Sequence, residues 1–432
     1  MFKTICSTFD EYIQICYKML FLYRISIHLY HFGIWLASFF NQKAKYWIEG
    51  RKSQKLVTLN ECLWFHFASL GEFEQGRPVL EKLRAENPTV KTVITFFSPS
   101  GYEIRKNTPL ADYVYYLPLD TPKNASAFIK TINPKIAIFT KYEYWYFYIN
   151  ALHQQKIPLY LISAIFRPKQ IFFKSYGGFY RKMLLLVQHF FVQDEVSKEL
   201  LASIHIKNAS VSGDTRFDRV WENAKNIEPL TTIEAFKGDH QIFIAGSTWP
   251  PDEELLVSLI PLYPDWKFII APHEIGKEKI SNLLQKLPAA KTIRYSEIST
   301  DLSALKSKQV LVIDNIGLLS KLYQYGDIAY IGGGFGAGIH NTLEAAAFGL
   351  PVIFGPNYEK FKEAKDLIKL NAGFSIASEA SLQEIVTQLV KNDAFYRQAS
   401  FEAKNYTQQN TGATEKIMRY IREHHKLSNS AK

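Results

Sequence analysis

Two glutamates stand where buried strands are predicted to end, and each could take a proton from a substrate hydroxyl. Glu72 follows the apolar run LWFHFA at 63–68 and precedes a helical pattern. Glu143 follows a second apolar run, KIAIFT at 135–140. Ligands of open parallel sheets bind beyond the carboxyl ends of the strands. Because general-base catalysis on a hydroxyl needs carboxylates of this kind, we expect Glu72 and Glu143 to face a substrate cleft.

Purely structural roles are the alternatives for both glutamates. Glu72 lies three residues after Ser69, which is the spacing of a capping box. In that motif Ser69 accepts from the helix backbone and Glu72 bonds back to the cap residue. Glu143 lies among aromatic residues, so it requires a partner and could be a buried acid satisfied by backbone or tyrosine donors.

A cation near the middle of the chain could join the same site. Arg216 lies in the segment SGDTRFD at 212–218. It could reach the cleft from a hinge between two domains, or it could form a surface ion pair with Asp214 or Asp218. The sequence leaves both possibilities open.

Strand ends in the second half of the chain offer groups suited to a phosphate. A Gly-Ser pair ends one apolar run, and a Pro-His pair ends another. These residues are Gly246, Ser247, Pro272 and His273. A glycine-rich loop, 332–338, then leads into a helix predicted to begin near Asn341.

Glycines allow backbone to approach a ligand closely, and a helix N-terminus offers free N–H groups to a phosphate. Glu344, in the first turn of that helix, is placed to accept from ribose hydroxyls. The alternative is that the glycines only form a tight turn and that Glu344 complements the helix dipole. Together the strand ends favour a nucleotide site.

Several nucleotide-binding classes are excluded by missing motifs. The dinucleotide fingerprint requires an acid at the end of the next strand, but that strand ends in Gly355-Pro356-Asn357. The sequence contains no G-x-x-x-x-G-K-[ST] motif and no Asp-x-Asp pair. We therefore predict no cofactor and no metal, so backbone N–H groups, a helix dipole and cationic side chains must stabilise a departing phosphate.

The charge of the chain favours an anionic partner. The 432 residues have a formal net charge of +10, and no cysteine spacing suggests zinc or disulfides. The segment 166–184 interleaves cations with aromatic residues, which suits either nucleic acid or an anionic lipid surface. We favour lipid. The cations are Arg167, Lys169, Lys174, Arg181 and Lys182.

The N-terminal region favours membrane contact. Residues 19–40 are apolar and aromatic but are interrupted by Arg24, His28 and His31, which disfavours both a signal peptide and a clean transmembrane span. We expect a helix lying in the membrane interface, with the following basic residues holding the rest of the chain on the cytoplasmic side. The alternative is an ordinary buried helix.

From residue 56 onward, strand-like runs alternate with amphipathic stretches, as in doubly wound α/β sheets. We predict two Rossmann-like domains that face a central cleft. The predicted strands are 63–68, 92–97, 113–119, 135–140, 158–164, 189–193, 241–246, 266–272, 292–297, 310–314, 328–334 and 351–355. The predicted segments are a membrane-associated region 1–55, an acceptor domain 56–217, a linker 218–240, a donor domain 241–424 and a polar tail 425–432.

The motifs ASLGE, YEYW, SGDTRFD, GST…EE and HNTLEAAAFGLPVIFGP, in this order, resemble the 3-deoxy-D-manno-octulosonic acid (Kdo) transferases of lipopolysaccharide synthesis. The resemblance extends from about residue 20 to about residue 420. It implies a GT-B glycosyltransferase that uses CMP-Kdo without metal and inverts the anomeric centre. The implied acceptor is the tetraacylated lipid A precursor, at the cytoplasmic face of the inner membrane.

The resemblance also implies a role for individual residues. Glu72 corresponds to the catalytic base, and Glu143 and Arg216 to residues that support the transition state. The implied CMP contacts are Pro272, His273, Ile316, Gly317, Leu318, Asn341, Thr342, Leu343 and Glu344.

Three other functions remain open from the sequence. The nearest is a GT-B enzyme that uses a UDP-sugar and another membrane acceptor. A second is a non-catalytic, membrane-surface module with a degenerate nucleotide site. RNA binding is the third, and only the net charge and the segment 166–184 suggest it.

Overall fold

The computed structural model describes residues 2–425 and residue 427. The chain forms two compact units: unit 1 contains the described residues up to Arg219 and from Gly412 onward, and unit 2 contains Val220–Thr411. Each unit is built on one seven-stranded sheet. Of the predicted polar tail, residues 426 and 428–432 lie outside the described residues.

The sheet of unit 1 has the strand order β3-β2-β1-β4-β5-β6-β7, and all neighbouring strands are parallel. Apolar residues cover both faces, because Trp64 belongs to one core cluster and Phe65 to the other. The strands are β1 Cys62–Phe67, β2 Lys91–Phe96, β3 Tyr113–Tyr116, β4 Pro134–Thr140, β5 Leu159–Ala164, β6 His189–Val192 and β7 Ala209–Val211.

Helices connect these strands, and two further helices precede the sheet. They are α1 Phe2–Ala37, α2 Gln42–Ser53, α3 Leu70–Glu86, α4 Pro99–Arg105, α5 Pro122–Ile132, α6 Tyr146–Gln154, α7 Gly178–Leu184, α8 Glu195–Ser203 and α9 Thr215–Lys225. Pro99 and Pro122 begin α4 and α5, where proline needs no backbone donor.

Unit 2 repeats the same architecture with the strand order β10-β11-β9-β8-β12-β13-β14. Its strands are β8 Ile242–Thr248, β9 Lys267–Pro272, β10 Thr292–Arg294, β11 Val310–Val312, β12 Ile328–Ile331, β13 Val352–Phe354 and β14 Gly373–Ser375. Its helices are α10 Thr231–Lys237, α11 Pro250–Leu259, α12 Lys277–Lys286, α13 Leu319–Leu322, α14 Leu343–Ala347, α15 Lys362–Lys369, α16 Glu379–Lys391 and α17 Asp393–Gln409.

The last helix, α18 Ala413–His424, belongs to unit 1, although we predicted that residues up to 424 belong to the second domain. Its apolar residues Ile417 and Met418 lie in the same core cluster as β1. Asp218 accepts from the backbone N–H groups of Gly412 and Thr414 at 2.5 and 2.6 Å. The start of α18 is therefore fixed to α9 in unit 1.

The stretch 218–240, predicted to be a linker, is largely helical. Its first part belongs to α9, and α10 packs Ile233 and Phe236, both fully buried, into unit 2. The polar composition that suggested a linker reflects the outer faces of these helices.

The N-terminal helices α1 and α2 pack within unit 1. Tyr23 of α1 donates to the Asp120 carboxylate at 2.5 Å, and Arg51 of α2 donates from Nε to the Leu117 carbonyl at 2.9 Å. Other side chains of the same region are exposed, including Phe39 at 65% and Phe40 at 94%. Among the described residues, no helix is both long enough and apolar enough to cross a membrane. Membrane association of residues 1–55 stays a prediction.

Asp120 is the buried acid that fixes α1. It is 2% exposed and accepts from Tyr23 and from the backbone N–H groups of Phe147 and Tyr148. Burial raises the pKa of Asp120 to about 6, whereas its ordinary value is 3.8. The folded state therefore binds this proton more tightly than the unfolded chain, so its stability falls as the pH rises through this interval.

We expect the Asp120→Asn variant to reveal this titration. The free energy of unfolding of the wild type, minus that of the variant, should fall by about 2 kcal/mol between pH 4 and pH 7. Urea unfolding of both proteins at several pH values measures this difference. The control Tyr23→Phe keeps the buried acid and should retain the pH dependence. A difference that does not change with pH would contradict the assignment.

Candidate functional site

In each sheet, the first strand lies in the interior of the sheet. The strands that follow it in sequence are added first on one side of it and then on the other. The neighbours at this switch point are β1 and β4 in unit 1, and β8 and β12 in unit 2. Ligands of open α/β sheets bind beyond the strand ends at such points. Glu72 and Glu143 follow β1 and β4, while Ser247 and the glycine-rich loop lie at the ends of β8 and β12. Glu72, Glu143, Ser247 and the glycine-rich loop therefore lie at the two topological switch points, whereas Arg216 and residues 316–318 follow other strands.

Glu72 lies in the first turn of α3 and is half-buried. Ser69 is the N-cap residue by backbone geometry, but its hydroxyl makes no capping bond and donates instead to the Glu72 carboxylate. The predicted capping box is therefore wrong. A carboxylate at this position is stabilised by the helix dipole, and the serine donor fixes its orientation.

Glu143 is 6% exposed, and its carboxylate accepts two hydrogen bonds from side chains. His66 Nε2 lies at 2.9 Å and Trp145 Nε1 at 2.6 Å. Because a carboxylate only accepts, His66 Nε2 carries a proton, and its Nδ1 lies 2.9 Å from Thr95 Oγ1. Glu143 is thus a buried acid whose hydrogen bonds are satisfied. Its donors are the His66 and Trp145 side chains and not the backbone or tyrosine groups that we considered.

Several charged groups, including Glu72, act on the phenol of Tyr142. Burial raises the pKa of the Tyr142 phenol, the Arg167 charge opposes this rise, and Glu72 and Asp194 add to it. These residues follow different strands of one sheet, and their charges act on one phenol. Tyr142 therefore lies within reach of both acidic and basic charges, Glu72 among them, at the carboxyl edge of the sheet of unit 1.

Arg216 forms the ion pair with Asp214 that we considered as an alternative. Arg216 Nε and Nη2 lie 2.9 and 2.8 Å from Asp214 Oδ2. Gln75 Nε2 donates to Asp214 Oδ1 at 2.7 Å. Burial acts to raise the pKa of Asp214, but the Arg216 charge and these hydrogen bonds hold it below its usual range. Gln75 lies one turn after Glu72 in α3. This network therefore connects the helix that contains Glu72 to Arg216.

The cations of the segment 166–184 differ in their surroundings. Arg167 and Lys169 are exposed, whereas Lys174 and Lys182 are half-buried. Arg181 donates to the carbonyls of Phe172 and Lys174 at 3.1 and 2.7 Å, so it holds the loop before α7. The exposed part of the predicted acceptor surface thus centres on Arg167 and Lys169.

In unit 2, backbone segments approach one another closely at the switch point. Ser247 has φ +54, a conformation that favours glycine. A Cβ added to Gly332 would lie 2.3 Å from the Ser247 carbonyl oxygen and 2.7 Å from Thr248 Cα. Glycine at position 332 is therefore required for β8 to lie beside the glycine-rich loop.

Asp252 holds this loop and was not identified from the sequence. It is fully buried and accepts from Trp249 N at 2.9 Å, Tyr330 Oη at 2.7 Å and Gly333 N at 2.9 Å. One carboxylate thus connects the start of α11, strand β12 and the first turn of the loop. Its position in PPDEE indicated only a helix start.

Three rings stack beyond the ends of β8, β9 and β12. His273 lies 4.8 Å from Trp249 and 4.3 Å from His340, as measured between ring centroids. Trp249 Nε1 donates to His340 Nε2 at 3.0 Å, so His340 is neutral with its proton on Nδ1. Burial and the neighbouring His273 lower the pKa of His340 to about 4. His273, which was predicted to bind the nucleotide, is therefore fixed between two rings.

The other predicted nucleotide contacts lie around α13 and α14. Gly317 has φ +91, and its neighbour Ile316 is 81% exposed. Asn341 donates to the Glu344 carboxylate at 2.9 Å. Thr342 is fully buried, and its hydroxyl has no hydrogen-bond partner among the described residues. The side chain of Leu318 is half-buried, and that of Leu343 is fully buried.

The two switch points offer different chemistry. Unit 1 presents a half-exposed carboxylate near cations, which suits proton transfer from a hydroxyl. Unit 2 presents backbone N–H groups, imidazoles and a buried hydroxyl, which suit a nucleotide phosphate. Within the described part of the chain, no group of three or more His, Cys, Asp or Glu side chains is placed to hold a metal ion.

Replacement of Gly332 by Ala should damage unit 2. The new Cβ would overlap backbone atoms that cannot rotate away, so we expect a loss of about 1–3 kcal/mol of unfolding free energy. The control Gly336→Ala lies in the same loop, where the nearest atom to an added Cβ is 3.6 Å away. Urea unfolding should show an effect at position 332 and almost none at position 336. Equal effects would contradict the close approach.

Comparison with known proteins supports the family resemblance. Residues 40–219 match the family model described as 3-deoxy-D-manno-octulosonic-acid transferase (kdotransferase). The chain is 28% identical to the 3-deoxy-D-manno-octulosonic acid transferase of Aquifex aeolicus, over 81% of this chain and 93% of that protein. It is 27% identical to the Haemophilus influenzae transferase of the same name, over 82% and 85%.

A bifunctional glycosyltransferase/methyltransferase from Fusobacterium nucleatum is 26% identical over 82% of this chain. The chain spans only 56% of that relative's length. Among solved structures, UDP-GlcNAc 2-epimerase from Neisseria meningitidis has a TM-score of 0.60 at 16% identity, covering 84% of this chain and 100% of the epimerase. This likeness concerns the fold, and it confirms two parallel-sheet α/β units.

The family match and the similarity over most of the chain confirm the resemblance inferred from the motifs. The chain is similar over most of its length to 3-deoxy-D-manno-octulosonic acid transferases, and its fold consists of two parallel-sheet α/β units.

Proposed function

We propose that this protein transfers Kdo from CMP-Kdo to a hydroxyl of the tetraacylated lipid A precursor in lipopolysaccharide synthesis. The observation that carries the proposal is the Glu72 carboxylate, half-buried at the N-terminus of α3 beside the switch point of unit 1 and held by the Ser69 hydroxyl. Its position beyond the end of β1 suits a general base, and the similarity to Kdo transferases supports the sugar.

The proposed reaction is a single displacement. Glu72 accepts the proton of the acceptor hydroxyl while the oxygen forms a bond to the anomeric carbon of Kdo. The bond between that carbon and the phosphate oxygen breaks, and CMP leaves with the electron pair. Attack opposite the leaving group inverts the anomeric centre. No cofactor or metal takes part in these steps.

Residues of unit 2 would bind the CMP part of the donor. Gly246, Ser247, His273 and the segment 341–344 lie at or near the ends of β8, β9 and β12, where backbone N–H groups stabilise a departing phosphate. The stacked position of His273 fixes the direction of its ring. A phosphate held in this way gains stabilisation as its negative charge grows.

The buried networks of unit 1 would support the base. Asp214 fixes the guanidinium of Arg216, and Gln75 connects this pair to α3. His66 and Trp145 hold Glu143 in the interior, beside the end of β4. In this proposal Arg216 stabilises negative charge in the transition state. Glu143 does not contact the reacting groups but fixes the loop that follows β4.

The Glu72→Gln variant tests the base. The amide keeps the size of the side chain but does not accept a proton, so we expect turnover to fall by roughly 10²–10⁴-fold with folding nearly intact. A transfer assay with CMP-Kdo generated in situ and the acceptor in detergent, without divalent metal, measures this. The control Glu74→Gln lies on the same helix, in ion pairs with Arg77 and Arg105, and should retain turnover.

Each other outcome has a definite meaning. Equal turnover of the Glu72 and Glu74 variants would contradict the role of Glu72. No transfer by a wild-type protein that binds CMP would indicate another sugar or acceptor. Binding of UDP in place of CMP would favour the alternative GT-B enzyme that uses a UDP-sugar.

We also propose that the protein works at the cytoplasmic face of the inner membrane. The proposal rests on the exposed aromatic side chains around the end of α1, and on the cations that follow them. Such a surface suits an anionic bilayer interface, where the acyl chains of the acceptor lie.

The double variant Phe39→Ser and Phe40→Ser should weaken binding to vesicles that contain anionic lipid by about tenfold, because two exposed rings lose apolar burial. Co-sedimentation measures the bound fraction. Phe401, 61% exposed on α17, provides the control Phe401→Ser, which should bind like the wild type. Unchanged binding of the double variant would contradict this membrane surface.

A further inference from the structure

A cavity of about 300 Å³ opens in unit 2 between α11 and α12, beyond the ends of β8 and β9. Its apolar wall contains Trp249 and Pro272. The same Pro272 precedes His273, so the cavity adjoins the predicted nucleotide contacts. Its size falls within the range of small-molecule sites. None of the steps proposed above uses it.

Glu253 is the buried acid of this cavity. It is 6% exposed, lines the cavity and accepts from the Thr248 hydroxyl at 3.2 Å. Among the described residues it has no ion-pair partner within 4 Å, and burial raises its pKa. A buried carboxyl group with one long hydrogen bond is costly unless a further polar group reaches it. A sugar hydroxyl can supply that group, because it both donates and accepts.

Two lysines lie at the rim. Lys279 Nζ lies 3.9 Å from Glu274, and Lys286 Nζ lies 3.1 Å from Glu254. Both carboxylates are more than half exposed, so these pairs contribute little and exchange easily for another anion. Both lysine charges also act on Glu253, which places them near the acid.

The remaining lining completes a site of defined chemistry. Asn282 and Gln285 of α12 supply amide donors and acceptors for hydroxyl groups. The Trp249 ring is held by stacking on His273, so it offers a fixed apolar surface to the C–H face of a sugar ring. The exposed Glu274 carboxylate also lines the cavity and is the exchangeable partner of Lys279. With that partner displaced, the cations, amides, buried acid and aromatic wall suit a molecule that has both hydroxyls and a carboxylate.

We propose that this cavity binds the sugar of the donor, a polyhydroxylated sugar carboxylate, with Lys279 and Lys286 at its carboxylate and Glu253 at its hydroxyls. The inference rests on the proposed function, which supplies a carboxylated donor sugar. It adds a sugar subsite that adjoins the nucleotide contacts at Pro272 and whose lysines set the affinity for the donor but not for CMP.

The double variant Lys279→Gln and Lys286→Gln tests the subsite. In the transfer assay its KM for the donor should rise by about tenfold, because charge-assisted hydrogen bonds to the sugar carboxylate are lost. The inhibition constant of CMP should stay within about twofold, since the nucleotide contacts are intact. The control Lys277→Gln lies on the same helix outside the cavity lining and should change neither constant.

A second measurement does not depend on turnover. Saturation-transfer NMR with free Kdo and saturating CMP should show contact with the wild type and loss of contact in the double variant. Thermal unfolding verifies that both proteins are folded. If the wild type transfers no sugar but the NMR contact is present and is lost in the variant, the cavity assignment holds and the proposed transfer reaction fails.

Two results would overturn the subsite. One is a donor KM that does not change in an active double variant. The other is a CMP inhibition constant that rises in proportion to KM, because the lysines would then act on the phosphate. Absence of NMR contact between Kdo and the folded wild type would overturn it as well, whether or not transfer occurs.

Discussion

The reversal of strand order beside β1 and beside β8 is the constraint on which the candidate sites of this protein depend. Strands added on opposite sides of a starting strand leave a crevice at its carboxyl end, because the connecting helices lie on opposite faces of the sheet. Glu72 follows β1, and Ser247 lies near the end of β8. Both therefore lie at the carboxyl-end crevice that this reversal leaves in each sheet.

Buried carboxylates stabilise these strand ends. Asp214, Glu143 and Asp252 are each less than a tenth exposed, and each accepts two or more hydrogen bonds. A buried carboxylate without donors would cost several kcal/mol, so each acid forces its donors into one arrangement. The consequence is rigidity at the points where a substrate would be held, as preorganised catalysis requires.

Periodicity alone located most of the sheet strands. Each of the twelve predicted runs overlaps a strand, because parallel strands buried on both faces are continuous apolar runs. The strands β7 and β14 were missed. Each is a three-residue edge strand that contains small or polar residues, ASV in β7 and GFS in β14, so neither forms a continuous apolar run. The position of α18 was also missed, because its apolar stripe does not say which sheet it covers.

Side-chain partners were harder to predict than strand ends. The Ser69–Glu72 spacing indicated a capping box, but a serine hydroxyl can donate as well as accept, and here it donates to the carboxylate. His66, Gln75 and His340 have partners 77, 139 and 91 positions away along the chain. Local sequence contains no information on such contacts. The residue types at strand ends were therefore predictable, whereas the networks that orient them required the three-dimensional structure.

The two sheets share one architecture, but their switch points are formed by different parts of the chain. In unit 1, side chains that carry charge follow the strands, and their positions depend on other side chains. In unit 2, close backbone packing at Gly332 and the positive φ of Ser247 shape the edge, and Asp252 fixes the N–H group of Gly333. Backbone groups keep their charge distribution at every pH, which suits a phosphate that must be bound and released. A base must instead change its protonation state, and only a side chain can do so. In the proposed reaction, this difference in chemistry accounts for the glycines at one switch point and the glutamate at the other.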